Sequence, residues 1–240
     1  MKNRFFGRKF HSKNLKNDQI SEPGQNFSTH CTTTHILNHA LRQALGTPAD
    51  QKGSLVAFDR LRFDFVAPKA LNIKQVTDAE NICNEIIKAD HPIHYQLVSL
   101  DKAMEIVGLR AMFGETYPDP VRVVSVGTEV HDLMTEGNEE GLKNGVEFCG
   151  GTHLHRSSHA KQLVITSEEA IAKGIRRIIA VTGDAAAKAN KTAGKIESDF
   201  AVFKKETEEG LKSDKAKTIQ TSQKEIANYR VVFWKCRIQG

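Results

Sequence analysis

An α+β fold is expected, an antiparallel sheet with packed helices followed by a helical extension. Three features point to it. Strand-like runs and amphipathic helical stripes alternate without a clean βαβ repeat, a pattern that favours helices lying on an antiparallel sheet. Residues 121–127, Val-Arg-Val-Val-Ser-Val-Gly, form a strong strand signal. From Asp184 onward the chain turns rich in Ala, Lys and Glu, with only a weak apolar stripe at Ile196, Phe200 and Phe203. The organisation that follows is a basic, mostly disordered leader over 1–28, a folded domain over 29–184, and a helical extension with a tail over 185–240.

Residues 1–28 lack a period and contain Pro23-Gly24, which reads as mostly loop. Thr29 to Thr34 then offer N-cap candidates for a helix whose apolar stripe is Ile36, Leu37, Ala40, Leu41, Ala44 and Leu45, ended by Gly46 and Pro48. Residues 55–58 and 61–65 read as two paired strands. The spacing Thr77-Asp78-Ala79-Glu80 matches a capping box and predicts a helix with the apolar face Ile82, Cys83, Ile86 and Ile87, stopped at His91-Pro92. A strand is expected over 93–98, a short helix over 101–110, and a long polar, Gly-rich loop over 128–146. Residues 147–149 lead as a strand into a glycine turn, and 162–166 form another strand. Ser167 is expected to cap a helix running to about Arg177, with a last strand over 178–181. The final run, Tyr229 to Ile238, does not continue the helical pattern.

Charge is unevenly spread. Residues 1–17 hold six Lys/Arg and no Asp/Glu, and residues 185–240 hold twelve Lys/Arg against seven Asp/Glu, which leaves sixteen basic and twenty-two acidic residues between them. Basic ends around an acidic middle suit a polyanion such as RNA held by phosphate contacts, or are simply solvated tails. No apolar run approaches the ~20 residues of a membrane span. Four cysteines, Cys31, Cys83, Cys149 and Cys236, are too few for a disulfide framework in 240 residues. A reducing compartment, the cytoplasm, fits better than secretion. The basic, acid-free start with Phe5, Phe6, Phe10 and Leu15 faintly resembles a mitochondrial presequence.

The chemistry concentrates at Cys149-Gly150-Gly151-Thr152-His153. A glycine pair turns the backbone sharply and can bring a thiol and an imidazole to one point, which is half of a metal site. Cys31 and His35 supply the other half: at i,i+4 they share one face of a helix. Together these are Cys₂His₂, a set suited to zinc. His39, also i,i+4 from His35, and His30 are rivals to Cys31, and polar helix-start residues around a single buried cysteine are the plainer alternative. With four protein ligands the site is closed and structural. With three, an open position is left for chemistry. The hydroxyls of Thr32, Thr33, Thr34 and Thr152 are then candidates to orient a substrate or water.

These residues carry a resemblance. Thr-His-Ile-Leu-Asn at 34–38 with Ala-Leu-Arg at 40–42, Gln-Lys-Gly-Ser-Leu-Val at 51–56, Arg-Leu-Arg-Phe-Asp-Phe at 60–65, Phe-Cys-Gly-Gly-Thr-His at 148–153 and Gly-Ile-Arg-Arg-Ile at 174–178 closely resemble the editing domain of alanyl-tRNA synthetase. The run Tyr-Pro-Asp-Pro-Val-Arg-Val-Val-Ser at 117–125 resembles its eukaryotic branch. The likeness covers residues 29–184 in order and with matching spacing.

The resemblance implies hydrolysis of tRNA(Ala) wrongly charged with serine or glycine, with a zinc ion held by His35, Cys149, His153 and a fourth ligand. In the family that ligand is a histidine. Here its position falls on Cys31 without a gap, or on His30 if one residue is inserted, while His39 falls where the family usually has no ligand. The family also places a threonine and a glutamine by the substrate, here Thr34 and Gln51, and the turn residues Gly150, Gly151 and Thr152 would meet the acceptor end of the tRNA. The amino-acid-activating domain and the barrel that usually precedes the editing helix have no counterpart, so an isolated editing portion that does not charge tRNA is expected. A catalytically weak zinc module that binds tRNA, or a fragment of the full ligase, is the rival expectation.

Overall fold

The computed structural model describes residues 22–111, 115–143 and 145–211. The first element, α1 (Glu22–Leu45), starts seven residues earlier than the Thr29 expected from the cap candidates. Pro23 does not prevent this, because a proline in the first helical turn lacks only an N–H that has no partner there. From Ser28 to Leu41 the helix is almost entirely buried, and its polar residues are buried with it, including Thr29, Thr32, Thr33, Asn38 and His39. Buried hydroxyls need partners. Thr33 Oγ1 donates to the Thr29 carbonyl at 2.8 Å and Thr34 Oγ1 to the His30 carbonyl at 2.7 Å, one turn back.

Strands β1 (Gln51–Val56) and β2 (Leu61–Val66) pair antiparallel, as the sequence predicts, but β1 lies earlier than the expected 55–58. Along β2 Leu61, Phe63 and Phe65 are buried, the period-2 alternation of a strand facing a core. Helix α2 (Ile73–Lys88) buries Ala79, Cys83, Ile86 and Ile87. Its capping box lies upstream of the expected one: Gln75 N–H donates to Asn72 Oδ1 at 2.9 Å and the Asn72 N–H to Gln75 Oε1 at 3.0 Å. Thr77 and Glu80 are interior, and Glu80 Oε2 accepts the Ile165 N–H at 2.8 Å.

Strand β3 (Ile93–Val98) is followed by a single helical turn, α3 (Leu100–Met104), and the short strand β4 (Leu109–Arg110). The helix expected to 110 ends at Met104, and the chain then turns into β4 through Gly108, which takes φ of 84° and where a Cβ would sit 2.6 Å from the Gly141 backbone. Strand β5 spans Val121–Val126. The expected loop over 128–146 holds a further helical turn, α4 (Val130–Leu133), and a 3-10 turn over Glu140–Leu142. Val130 and Leu133 enter a core there. Strand β6 (Val146–Phe148) leads into the glycine turn, and a 3-10 turn covers Ser157–Ala160.

The largest correction concerns residues 167–177. The expected helix is instead a β-hairpin, β7 (Leu163–Ala172) and β8 (Ile175–Thr182), turned at Gly174 with φ of 72°. Tertiary pairing overrides the helix propensity of Glu, Ala and Lys here. Arg176 makes two bonds to Glu168 across the hairpin, and Arg177 makes two to Asp64 at its register position on β2 (2.7 and 2.9 Å). Helix α5 (Gly183–Leu211) starts two residues before the expected extension over 185–240 and runs into it. The basic start over 1–17 and the tail at 229–238 lie outside the described residues.

Two four-stranded sheets result, ordered β1-β2-β8-β7 and β3-β5-β6-β4, antiparallel except for the β4–β6 pair. Helices α1 and α2 cover one face of the first sheet, and Ile93, Val124 and Val126 of the second join the same core. Val164 on the opposite face of β7 packs with Ala186 and Ala189 of α5. Phe63 is fully buried in the main core. Phe63→Ala is expected to cost about 3–5 kcal/mol, read by urea denaturation. Among the described residues no helix is long and apolar enough to cross a membrane.

Candidate metal centre

The second sheet presents its β6 end to the polar half of α1. There Cys31, His35, Cys149 and His153 offer one ligand atom each, all within 4.8 Å of one another. Two helix residues one turn apart meet two residues of the glycine turn. Cys31 Sγ lies 3.8 Å from Cys149 Sγ and 3.9 Å from His153 Nε2, and the His35 and His153 ring centroids are 5.1 Å apart. This cluster could hold a metal ion. Cys31, Cys83 and Cys149 are free thiols.

Gly151 allows the approach. A Cβ on it would stand 2.6 Å from Cys31 Sγ and 3.4 Å from Cys149 Sγ. The turn is pinned by Arg122 of β5, which donates to the Cys149 carbonyl at 3.0 Å and the Gly151 carbonyl at 2.7 Å. Gly150 and Thr152 stay exposed at its rim.

Each imidazole is oriented by its outer nitrogen. His35 Nδ1 bonds Glu147 Oε2, which leaves Nε2 directed into the cluster, buried and with no hydrogen-bond partner among the described residues. Glu147 itself accepts from Asn38 Nδ2 at 2.8 Å and from Arg110 at 3.2 Å. His153 Nδ1 lies 3.3 Å from Thr32 Oγ1, which also accepts the Leu154 N–H at 3.0 Å. Partners of this kind set the tautomer and aim of a metal-binding histidine.

The charges favour a cation at the centre. Burial alone would raise the Glu147 carboxyl, but His35 and Arg110 outweigh it and hold it below its ordinary value. Cys149 is held well below the usual thiol range by the bond from Cys31 and by the charge of His35, while Cys31 is pushed up by the same bond and by burial. Burial works against charge on His35, yet Glu147 and the Cys149 thiolate carry it up to about 10. Burial lowers His153. A buried carboxylate and a thiolate thus stabilise positive charge between them, and a divalent ion would replace the His35 proton, since metal ligation releases protons.

Other candidate residues bond elsewhere. His30 Nδ1 lies 2.8 Å from the Ala57 carbonyl, and burial lowers its pKa. His39 Nδ1 accepts from Arg110 at 2.8 Å and is pushed down to about 4 by burial and then by Arg110. Of the threonine hydroxyls, Thr32 serves His153 and Thr33 the helix backbone. Gln51 Nε2 donates to Ser54 Oγ at 3.0 Å. Sequence reasoning missed Glu147, Asn38, Arg110 and Arg122. Two of these carried a readable signal: Glu147 stands at i−2 from Cys149, on the same face of a strand, and Asn38 at i+3 from His35 on its helix.

Residues 121–179, which include Arg122, Glu147, Cys149 and His153, match the family of the threonyl and alanyl tRNA synthetase second additional domain. The chain is 48% identical over 209 residues to the cytoplasmic alanine–tRNA ligase of Bombyx mori, covering 85% of this chain and 22% of that protein. It is 48% identical over 189 residues to the mitochondrial alanine–tRNA ligase of Saccharomyces cerevisiae (78% and 19%) and 52% identical over 170 residues to the alanine–tRNA ligase of Candida albicans (70% and 18%). Over residues 121–179 the chain therefore matches a second additional domain of the threonyl and alanyl tRNA synthetases. It is homologous to alanine–tRNA ligases over most of its own length and spans about a fifth of theirs.

Proposed function

We propose that this region hydrolyses the ester of tRNA(Ala) charged wrongly with serine or glycine, at a zinc ion held by Cys31, His35, Cys149 and His153. The observation that carries the reading is the convergence of four donor atoms within 4.8 Å on a domain shared with alanine–tRNA ligases. The donor set fits zinc. Tetrahedral zinc with bonds of about 2.3 Å to sulfur and 2.0–2.1 Å to nitrogen places two sulfurs ~3.8 Å apart and sulfur and nitrogen ~3.6 Å apart. The sulfurs here stand 3.8 Å apart, and Cys31 Sγ is 3.9 Å from His153 Nε2. The buried His35 Nε2, without a hydrogen-bond partner among the described residues, is the fourth donor.

When bound, and with one of its four positions opened to substrate or water, zinc would supply Lewis-acid polarisation of the ester or a more acidic water. The other work falls to the chain. Glu147 and Thr32 hold the two imidazoles in aim. We assign Thr34 and Gln51 to the substrate. Thr34 Oγ1 spends its proton on the His30 carbonyl, so its lone pairs remain to accept a hydroxyl. Gln51 Nε2 is engaged by Ser54, which leaves its carbonyl oxygen as the acceptor. Gly150, Gly151 and Thr152 would line the path of the acceptor end. A separate hydrolytic site serves discrimination because binding alone separates side chains this close by only ~10–200-fold. The thiol ligands require a reducing compartment, the cytosol or the mitochondrial matrix, and we place the protein in the cytoplasm.

Cys149→Ala is expected to lower seryl-tRNA(Ala) deacylation about a hundredfold, some 2.7 kcal/mol of transition-state stabilisation. Unchanged turnover in a metal-quantified preparation sinks the assignment. One observation favours a second reading: four protein ligands make a closed site, the form of structural zinc. Under it the region is a zinc module that binds tRNA without hydrolysis. Binding and turnover measured on one sample separate the two.

A further inference from the structure

Beside the glycine turn, the second sheet carries an exposed aromatic group that the proposed chemistry does not use. Tyr95 lies on β3, at the edge of its sheet, and is 62% exposed although it sits among strands. Its register partner on β5 is Val124, and Leu97, 64% exposed, stands opposite Arg122. Period-2 geometry puts Tyr95, Leu97 and Arg122 on one face of the sheet. Arg122 spans the gap between the aromatic ring and the centre. Its guanidinium carbon is 4.3 Å from the Tyr95 ring centroid, and one of its nitrogens bonds the Cys149 and Gly151 carbonyls. A single guanidinium thus stands between an exposed aromatic ring and the turn that brings Cys149 to the cluster.

We propose that Tyr95, backed by Arg122, is a stacking platform for the 3′-terminal nucleobase of the RNA whose ester is presented to the centre. This rests on the hydrolytic reading for the nature of the ligand. The chemistry favours a nucleobase. An exposed aromatic ring with a guanidinium against it is amphipathic and rigid. Every base has a π-face to lay on it, and the cation adds attraction both to the ring and to the nearby phosphate. The placement suits a terminal nucleotide, whose ester-bearing ribose and base are adjacent groups. A ribose directed at the turn leaves its base over the sheet face beside it. The sheet edge also bears Leu97, which offers apolar surface to the same base.

The test uses the zinc-loaded chain with two RNA hairpins that copy the tRNA(Ala) acceptor stem, one ending in CCA and one lacking the terminal adenosine. The chain should bind the CCA hairpin more tightly than the truncated one. Tyr95→Phe should keep that preference, while Tyr95→Leu, which retains apolar bulk without a π-face, should lose about five- to 150-fold of CCA affinity and with it the preference. Equal affinity of the unaltered chain for the two hairpins, or a preference that survives Tyr95→Leu, overturns the platform. Deacylation of seryl-tRNA(Ala) by the same preparations keeps the two proposals apart. A platform that binds without turnover leaves the stacking inference standing and fails the hydrolytic reading. Turnover whose KM is the same in the unaltered chain and in Tyr95→Leu does the reverse.

Discussion

Glu147→Ala should destabilise the domain by roughly 3–5 kcal/mol, the cost of leaving a buried charge without its partner. Glu147 is 6% exposed and joins three groups at once: His35, Asn38 and Arg110. The Arg110 side chain is 8% exposed, and its other bond goes to His39. Without the carboxylate the guanidinium has no counter-charge within reach among the described residues. The variant should also bind zinc about 10–100-fold more weakly in competition with a chromophoric chelator, because His35 loses the acceptor that aims its ring.

A double variant separates the two losses. Arg110→Met with Glu147→Leu removes both charges, so urea denaturation should return a large part of the stability, as replacement of a whole buried pair generally does. Zinc affinity should stay low, since Nδ1 of His35 remains without its acceptor. A loss of less than about 1 kcal/mol in Glu147→Ala would mean that the network is solvated and does not hold the site together.

Gly151→Ala should act on the centre more than on the fold. Its Cβ would fall 2.6 Å from Cys31 Sγ, a contact that cannot stand without displacing the sulfur or the turn. Gly151 lies on a partly exposed turn outside the core clusters. Zinc affinity is therefore expected to fall about 10–100-fold, with little change in the urea midpoint. If the methyl group acts through Cys31, the loss in Gly151→Ala with Cys31→Ala should be no greater than in Cys31→Ala alone, since coupled sites are not additive. Additive losses would show that the turn moved, and the close approach to Cys31 would not be the reason a glycine stands here.

Much of the site was legible because its signals are local. Cys149 and His153 flank a glycine pair, and Cys31 and His35 are one helical turn apart, so residue type and spacing alone pair them. The choice among Cys31, His30 and His39 was not legible. All three lie within a turn or so of His35, and only the packing of α1 decides which side chain faces β6. In the fold, His30 turns to the β1–β2 connection and His39 to Arg110. In the sequence Glu147 carries a strand signal and nothing more. A carboxylate buried beside a histidine and an arginine has no signature in a single sequence, because its partners lie 112 and 37 residues away.

The fold divides the same way. The stripe from Ile36 to Leu45, the β1–β2 pair, and the strands over 93–98 and 121–126 were readable from periodicity, which records burial on one face. Residues 167–177 were not. Their Glu, Ala and Lys residues favour a helix locally, yet pairing with β2 and the Arg176–Glu168 and Arg177–Asp64 bonds hold them as a hairpin. The sequence by itself determined which thiols and imidazoles were available, and that a tight glycine turn would carry two of them. Only the tertiary structure decided which four converge and which charges surround them. Convergence depends on long-range burial, and the cost of burying a charge is met by whatever partner the packing brings to it.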